Sequence, residues 1–137
     1  MPRTLAEISK KMRKIDIAVL STHTDGGNIA GRPMSNNGDV DYDGDSFYFT
    51  TEQSRMVQDI ARDPRVALAF QDSKAFHVAV EGEATLVRDR QRFEDHWNPD
   101  LDRWFADGVD TPGLVMIEVH ARRIHYWDGE DNGEVSL

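Results

Sequence analysis

The residues that could do chemistry concentrate in one place. In residues 46–64, SFYFTTEQSRMVQDIARDP, an aromatic and β-branched run gives way to a helical pattern, and Thr51, Ser54 and Arg55 fall at the junction. Hydroxyl side chains favour a helix start because they accept bonds from its unpaired N–H groups. The same end offers free donors and the positive pole of the helix dipole. Two hydroxyls and an arginine there form a candidate phosphate seat. A second arginine, Arg32, stands in Gly31-Arg32-Pro33-Met34-Ser35. A strand arginine and a helix-start arginine reach one phosphate if their elements are neighbours, each charge-assisted bond contributing about 1.5–3 kcal/mol. Spacing alone favours a plainer alternative, in which Arg55 is solvated and Arg32 pairs with one of the many acids.

Other constellations are weaker. Asp39-Val-Asp41-Tyr-Asp43-Gly44 matches the front half of a calcium loop, but the twelfth position, which needs a bidentate glutamate, is Thr50. The five histidines are His23, His77, His96, His120 and His125. No pair has metal-ligand spacing within an expected helix, and strand alternation would send His120 and His125 to opposite faces. Solvated or structural histidines are therefore the expected reading. No nucleophile elbow, Walker A loop or dinucleotide fingerprint occurs, and no general acid or base stands out.

Composition narrows the field. A chain of 137 residues with 39% hydrophobic content is one domain by prior, 1–137, and large enough for a core. Its net charge of −9 and pI of about 4.9 argue against nucleic acid and anionic membrane surfaces as partners. An anionic ligand needs a local arginine cluster working against that field. There is no cysteine, hence no disulfide and no thiolate site. No apolar run approaches a membrane span, the N-terminus has no signal-like apolar region, and the expected location is cytoplasmic.

The elements that must position the seat follow from period and punctuation. Thr4-Leu-Ala-Glu7 has capping-box spacing, and Leu5, Ile8, Met12 and Ile15 continue it as an amphipathic helix over 4–14. Strands are expected over 15–24 and 29–35, joined by the turn Asp25-Gly26-Gly27-Asn28; Pro33 assigns the second to an edge. The aromatic strand and the helix with Met56, Val57, Ile60 and Ala61 on its apolar face come next, stopped at Asp63-Pro64. Residues 65–72, RVALAFQD, read as a strand buried on both faces. Residues 75–88 alternate around Gly82, the mark of a bulge. A helix over 89–97, a further turn over 101–105 and a last strand over 114–127 follow, and the acidic 128–137 is expected to be a flexible tail. About six strands that mostly succeed one another directly, with three helical segments, predict a mostly β, antiparallel barrel with small helices.

GRPMS, FYFTT, SRMVQDIARDPRVALAF and the closing HYWDG resemble the FMN-binding split-barrel proteins related to pyridoxamine 5′-phosphate oxidase. Within them, HWNPDLDRWFADGVDTPGLVMIEVHARRIHYWDG is similar to the bacterial general stress protein 26 type. The likeness spans about residues 5–129. It implies a six-stranded antiparallel split barrel, a homodimer, and FMN held noncovalently at the dimer interface. Carried over by position, Arg32 and Ser35 match a strand lining the flavin. Phe49 and Thr50 match residues along the ring and ribityl chain, Ser54 and Arg55 the phosphate-binding helix start, and Trp127 a tryptophan contributed by the other subunit. Thr51 joins the phosphate group. Related split barrels also accept FAD or a deazaflavin.

Two departures stand out. The oxidases follow the serine–arginine pair with lysine, whereas this chain has Met56, which removes a cation. The arginine-bearing tail of the oxidases is replaced by Glu130-Asp-Asn-Gly-Glu134. Both argue against pyridoxamine phosphate oxidation itself. The expected function is thus an FMN-binding flavoprotein with oxidoreductase potential and unknown substrate. A non-catalytic flavin-binding, storage or redox-sensing stress protein is the alternative, and a cofactor-free β-barrel interaction module a third.

Overall fold

The structure, a computed structural model, describes residues 3–35 and 42–137. Asp39 and Asp41, the front of the calcium-loop pattern, lie outside the described residues. The order is α1 (Leu5–Met12), β1 (Ile17–His23), β2 (Ile29–Ser35), β3 (Asp45–Thr51), α2 (Arg55–Arg62), β4 (Arg65–Gln71), β5 (Phe76–Val87), α3 (Arg90–His96), 3-10 turns at Pro99–Arg103 and Gly108–Asp110, β6 (Leu114–Asp128) and β7 (Asp131–Val135). The capping box at α1 forms as its spacing predicts: Thr4 Oγ1 accepts from the Glu7 N–H at 3.2 Å, and Glu7 reaches back to the Thr4 N–H.

All pairings are antiparallel, in the order β2-β1-β4-β5-β6-β3, with β7 added to β6. β2 carries Pro33 at one end of that order, where a missing N–H is tolerated. Inward residues of β1, β3, β4, β5, β6 and β7, together with Ile8 and Met12 of α1 and Met56 and Ile60 of α2, fill one core. The curled sheet is not closed, since no pairing joins β2 to β3, and the architecture is a split barrel.

Four expectations need correction. β4 is not buried on both faces: Val66, Leu68 and Phe70 point inward while Ala67 and Ala69 are exposed. Its run looks continuous because alanine fills the outer positions. The 128–137 segment is not a flexible tail. Gly129 takes φ of 65°, closes a two-residue turn, and lets Asp131–Val135 pair with β6 and bury Val135, making seven strands among the described residues. On α2 the exposed residue is Ala61, and Asp59 takes the buried place. Finally, His120 pairs with Glu83 and His125 with Ala79, which share a face of β5, so the two histidines lie on the same side. An extra residue, Arg122, shifts the register opposite Glu81/Gly82 and resets the alternation. A Cβ at Gly82 would collide with the His120 carbonyl, which explains the glycine.

Candidate functional site

A tight turn carries β3 into α2: the Ser54 N–H donates to the Thr51 carbonyl at 2.9 Å, and Ser54 Oγ then caps α2 by accepting from the Met56 N–H at 3.2 Å. Arg55, the first helical residue, projects into solvent and meets Asp25 of the β1–β2 turn at 3.3 Å. Both side chains are largely exposed, so the pair is worth about 0–1 kcal/mol and yields readily to a better anion. Met56 points into the barrel core, so the cations at this helix start are arginines alone.

Beside that turn lies a cavity of about 380 Å³, lined by Ile17, Pro33, Met34, Ser35, Phe49, Thr50, Thr51, Leu101, Trp104 and Phe105. It brings together Ser35, Phe49, Thr50 and Thr51 from the two strands at the open edge of the barrel. Ser54 and Arg55 continue directly from Thr51. Arg32 is not among the lining residues, but it shares a strand face with Met34, which is, and lies roughly 7 Å further along the strand. Its Nη1 donates to Thr22 Oγ1 at 3.3 Å; Thr22 in turn donates to Oδ2 of the buried Asp59 at 2.9 Å.

The wall beneath Phe49 is a second, smaller apolar cluster outside the barrel. Phe49, Phe93, Leu101, Leu114 and Met116 form its buried part, with Trp97, Phe105 and Val109 against them. Phe49 meets Trp97 edge-on at 4.9 Å and Phe93 at 6.0 Å, and Trp97 meets Phe105 at 5.8 Å. The Trp97 Nε1–H donates to Asp102 at 3.0 Å, which pins the 3-10 turn carrying Leu101. Leu101, Trp104 and Phe105 were not among the expected site residues, since a 3-10 turn and the irregular residues after it have no period to betray which side they present. Ile17, Met34, Thr22 and Asp59 were also missed. Of these, Asp59 left a trace as an acid among apolar neighbours on α2, and Thr22 as a hydroxyl in the row of Ala18 and Leu20.

Trp127 does not join this cavity within one chain. It pairs with His77 and Asn132 at the far end of β6, is 41% exposed, and borders a shallow depression with Ala69, His77 and Ala79. Among the described residues the lining of the cavity is apolar, aromatic and hydroxylic, with no ionisable side chain. Among the described residues, no three His, Asp or Glu side chains gather as a metal-ion ligand set. No helix among them is long and apolar enough to cross a membrane.

The donor set suits a flavin nucleotide. Flat apolar walls would take a ring, hydroxyls a ribityl chain, and a capped helix start with two arginines nearby a phosphate. Comparison with known proteins shows the family. General stress protein 26 of Bacillus subtilis is 29% identical over 112 residues, covering 78% of this chain and 79% of that protein. The crystal structure of a Clostridium acetobutylicum protein related to general stress protein 26 superposes with a TM-score of 0.83 at 20% identity, covering 97% of this chain and 94% of that one. A heme-binding protein from Mycobacterium smegmatis shares the fold at a TM-score of 0.73 and 13% identity, covering 98% of this chain and 58% of that one. A family profile described as pyridoxamine 5′-phosphate oxidase like matches residues 3–137. The chain belongs to the pyridoxamine 5′-phosphate oxidase-like family.

Proposed function

We propose that the protein is a cytoplasmic homodimeric flavoprotein that binds FMN between β2, β3 and the start of α2, with oxidoreductase potential toward a substrate still to be identified. One observation carries this reading: Ser35, Phe49, Thr50 and Thr51 line a single cavity, and Thr51 leads within three residues to Ser54, the cap of α2. Phe49, Met34 and Pro33 would face the ring, Ser35 and Thr50 the ribityl chain, and Thr51, Ser54, Arg55 and Arg32 the phosphate. Bound flavin supplies the hydride or electron chemistry, and the chain binds and orients it.

The outer face of the sheet supports a second copy as partner. Pro33, Val19, Ala69, Ala79 and His125 form one row across β2, β1, β4, β5 and β6, and Val19 and Ile17 are 41% and 40% exposed. Small and apolar outer residues suit a sheet face that another subunit covers. Such a dimer would let Trp127 border the flavin of its partner. The described lining is apolar, aromatic and hydroxylic, groups that bind and orient a ligand, and a flavin binder or redox sensor without turnover is the second reading of the same site.

Titration with FMN is expected to quench flavin fluorescence, and the purified protein is expected to carry flavin absorbance. Colourless protein without quenching would refute both readings. A single 15.6 kDa species on sizing in the presence of FMN would refute the dimer. Stopped-flow reduction of bound flavin by NADH or NADPH separates enzyme from binder.

A further inference from the structure

We infer that Thr22 and Asp59 form a buried relay that presets the Arg32 guanidinium for an anion, which makes both of them positioning residues for a flavin phosphate. The inference rests on the phosphate reading of Arg32 given above and assigns what holds that arginine in place.

Thr22 is 1% exposed on the inward face of β1, in a row otherwise filled by Ala18 and Leu20. A hydroxyl in that row costs free energy unless it is hydrogen-bonded. It has one hydrogen to give, and that hydrogen goes to Asp59 Oδ2 at 2.9 Å. Its oxygen is then left to accept, and Arg32 Nη1 stands 3.3 Å away. The other Asp59 oxygen, Oδ1, accepts from Arg62 Nη2 at 3.1 Å, and Arg62 also donates to the His23 carbonyl. Each role in the chain Arg62–Asp59–Thr22–Arg32 is thereby set. A buried acid fixes the direction of the hydroxyl, the hydroxyl fixes one edge of the guanidinium, and Arg62 balances the charge of the acid. Only one of the five guanidinium N–H donors makes the bond to Thr22. Arg32 carries several rotatable bonds, and immobilising such a side chain before the ligand arrives improves affinity about three- to tenfold.

The test compares FMN with riboflavin, which keeps the ring and ribityl chain but lacks the phosphate. Thr22→Val, which preserves shape and removes the hydroxyl, should weaken FMN about three- to tenfold and leave riboflavin unchanged. Thr22→Ser should bind both ligands as the parent does. In an Arg32→Ala background, Thr22→Val should cause no further loss of FMN. Equal loss of both ligands in Thr22→Val, loss in Thr22→Ser, or an undiminished preference for FMN in Thr22→Val would each overturn the relay. Should Thr22→Val fail to fold, Asp59→Asn, which keeps a carbonyl for Arg62, carries the same expectation and the same refutation. A parent protein that binds FMN and riboflavin equally would instead overturn the phosphate reading itself, and so the two failures are distinguishable.

Discussion

The molecule has two apolar regions of different character, separated by the thickness of one sheet. The barrel interior gathers 20 buried residues, mostly aliphatic, from all strands but β2 and from two helices. The outer cluster has five buried residues, two of them phenylalanine, and leans on α3 and the 3-10 turns. The first is enclosed and the second is open to the cavity. Stability should therefore reside in the barrel and ligand binding at the outer cluster, so that substitutions in one leave the other's property largely intact. In such a division the outer turns can change without reopening the core.

The largest effect tests the barrel. Leu68 is 1% exposed in the middle of β4. Leu68→Ala should cost about 2–5 kcal/mol of unfolding free energy, read from urea denaturation of the flavin-free protein. Flavin affinity of the remaining folded fraction should change little. A loss below about 1 kcal/mol would show that the barrel does not carry the stability.

The next effect tests the proposed phosphate seat at the start of α2. Arg55→Ala removes one charge-assisted contact and should weaken FMN by about 1.5–3 kcal/mol, or roughly ten- to a hundredfold. Lys10→Ala, on the exposed side of α1, serves as the control of equal charge change and should have little effect. Equal losses would mean that the overall field of a chain of net charge −9, and not the helix start, governs affinity.

How much of this was legible in sequence follows the same division. Barrel strands announce themselves by alternation, as in Val66, Leu68 and Phe70. Even the misreading of β4 is instructive, since Ala67 and Ala69 made a one-sided strand look two-sided. The start of α2 was legible because Ser54 has a local capping role that spacing reveals. The cavity was only half legible. Phe49, Thr50 and Thr51 lie in a periodic strand, whereas Leu101 lies in a 3-10 turn whose facing depends on Trp97 and Asp102, and Trp104 and Phe105 follow that turn. Thr22 and Asp59 each break an apolar pattern, and what they do depends on a contact between residues 37 positions apart. The acidic 131–135 strand was hidden by poor β formers, and only the turn at Gly129 and the anchoring of Val135 make it pair.

Phe49→Leu sits on the boundary and should act on both properties modestly. The residue is 6% exposed, and losing its edge contacts with Trp97 and Phe93 should cost about 1 kcal/mol of stability. Because the proposed site sets Phe49 at the ring end, FMN and riboflavin should weaken together, unlike the selective loss expected at Arg55. A selective loss of FMN in this variant would place the phosphate, not the ring, against Phe49.

The smallest effect comes from the neighbouring residue on the same strand. Alternation sends Tyr48 into the barrel while Phe49 faces the cavity. The Tyr48 hydroxyl is buried beside that of Ser46, and among the described residues neither makes a hydrogen bond of good geometry. Burial pushes the Tyr48 phenol well above its ordinary value, and Ser46 offsets only part of this. The neutral form is therefore the one the fold favours. Its contribution is fully present below the ordinary tyrosine pKa of about 10 and is lost as pH rises beyond it toward the raised folded-state value. Tyr48→Phe removes an unpaired hydroxyl without changing ring shape, so at neutral pH it should be within about 1 kcal/mol of the parent. Above pH about 10 its stability should fall less steeply with pH, the residual slope coming from Tyr42, whose phenol burial also raises. Flavin binding should be unaffected at every pH where the protein is folded. If Tyr48→Phe weakened flavin as Phe49→Leu does, the two faces of β3 would not be independent, and the separation of barrel from cavity would fail at the strand that joins them.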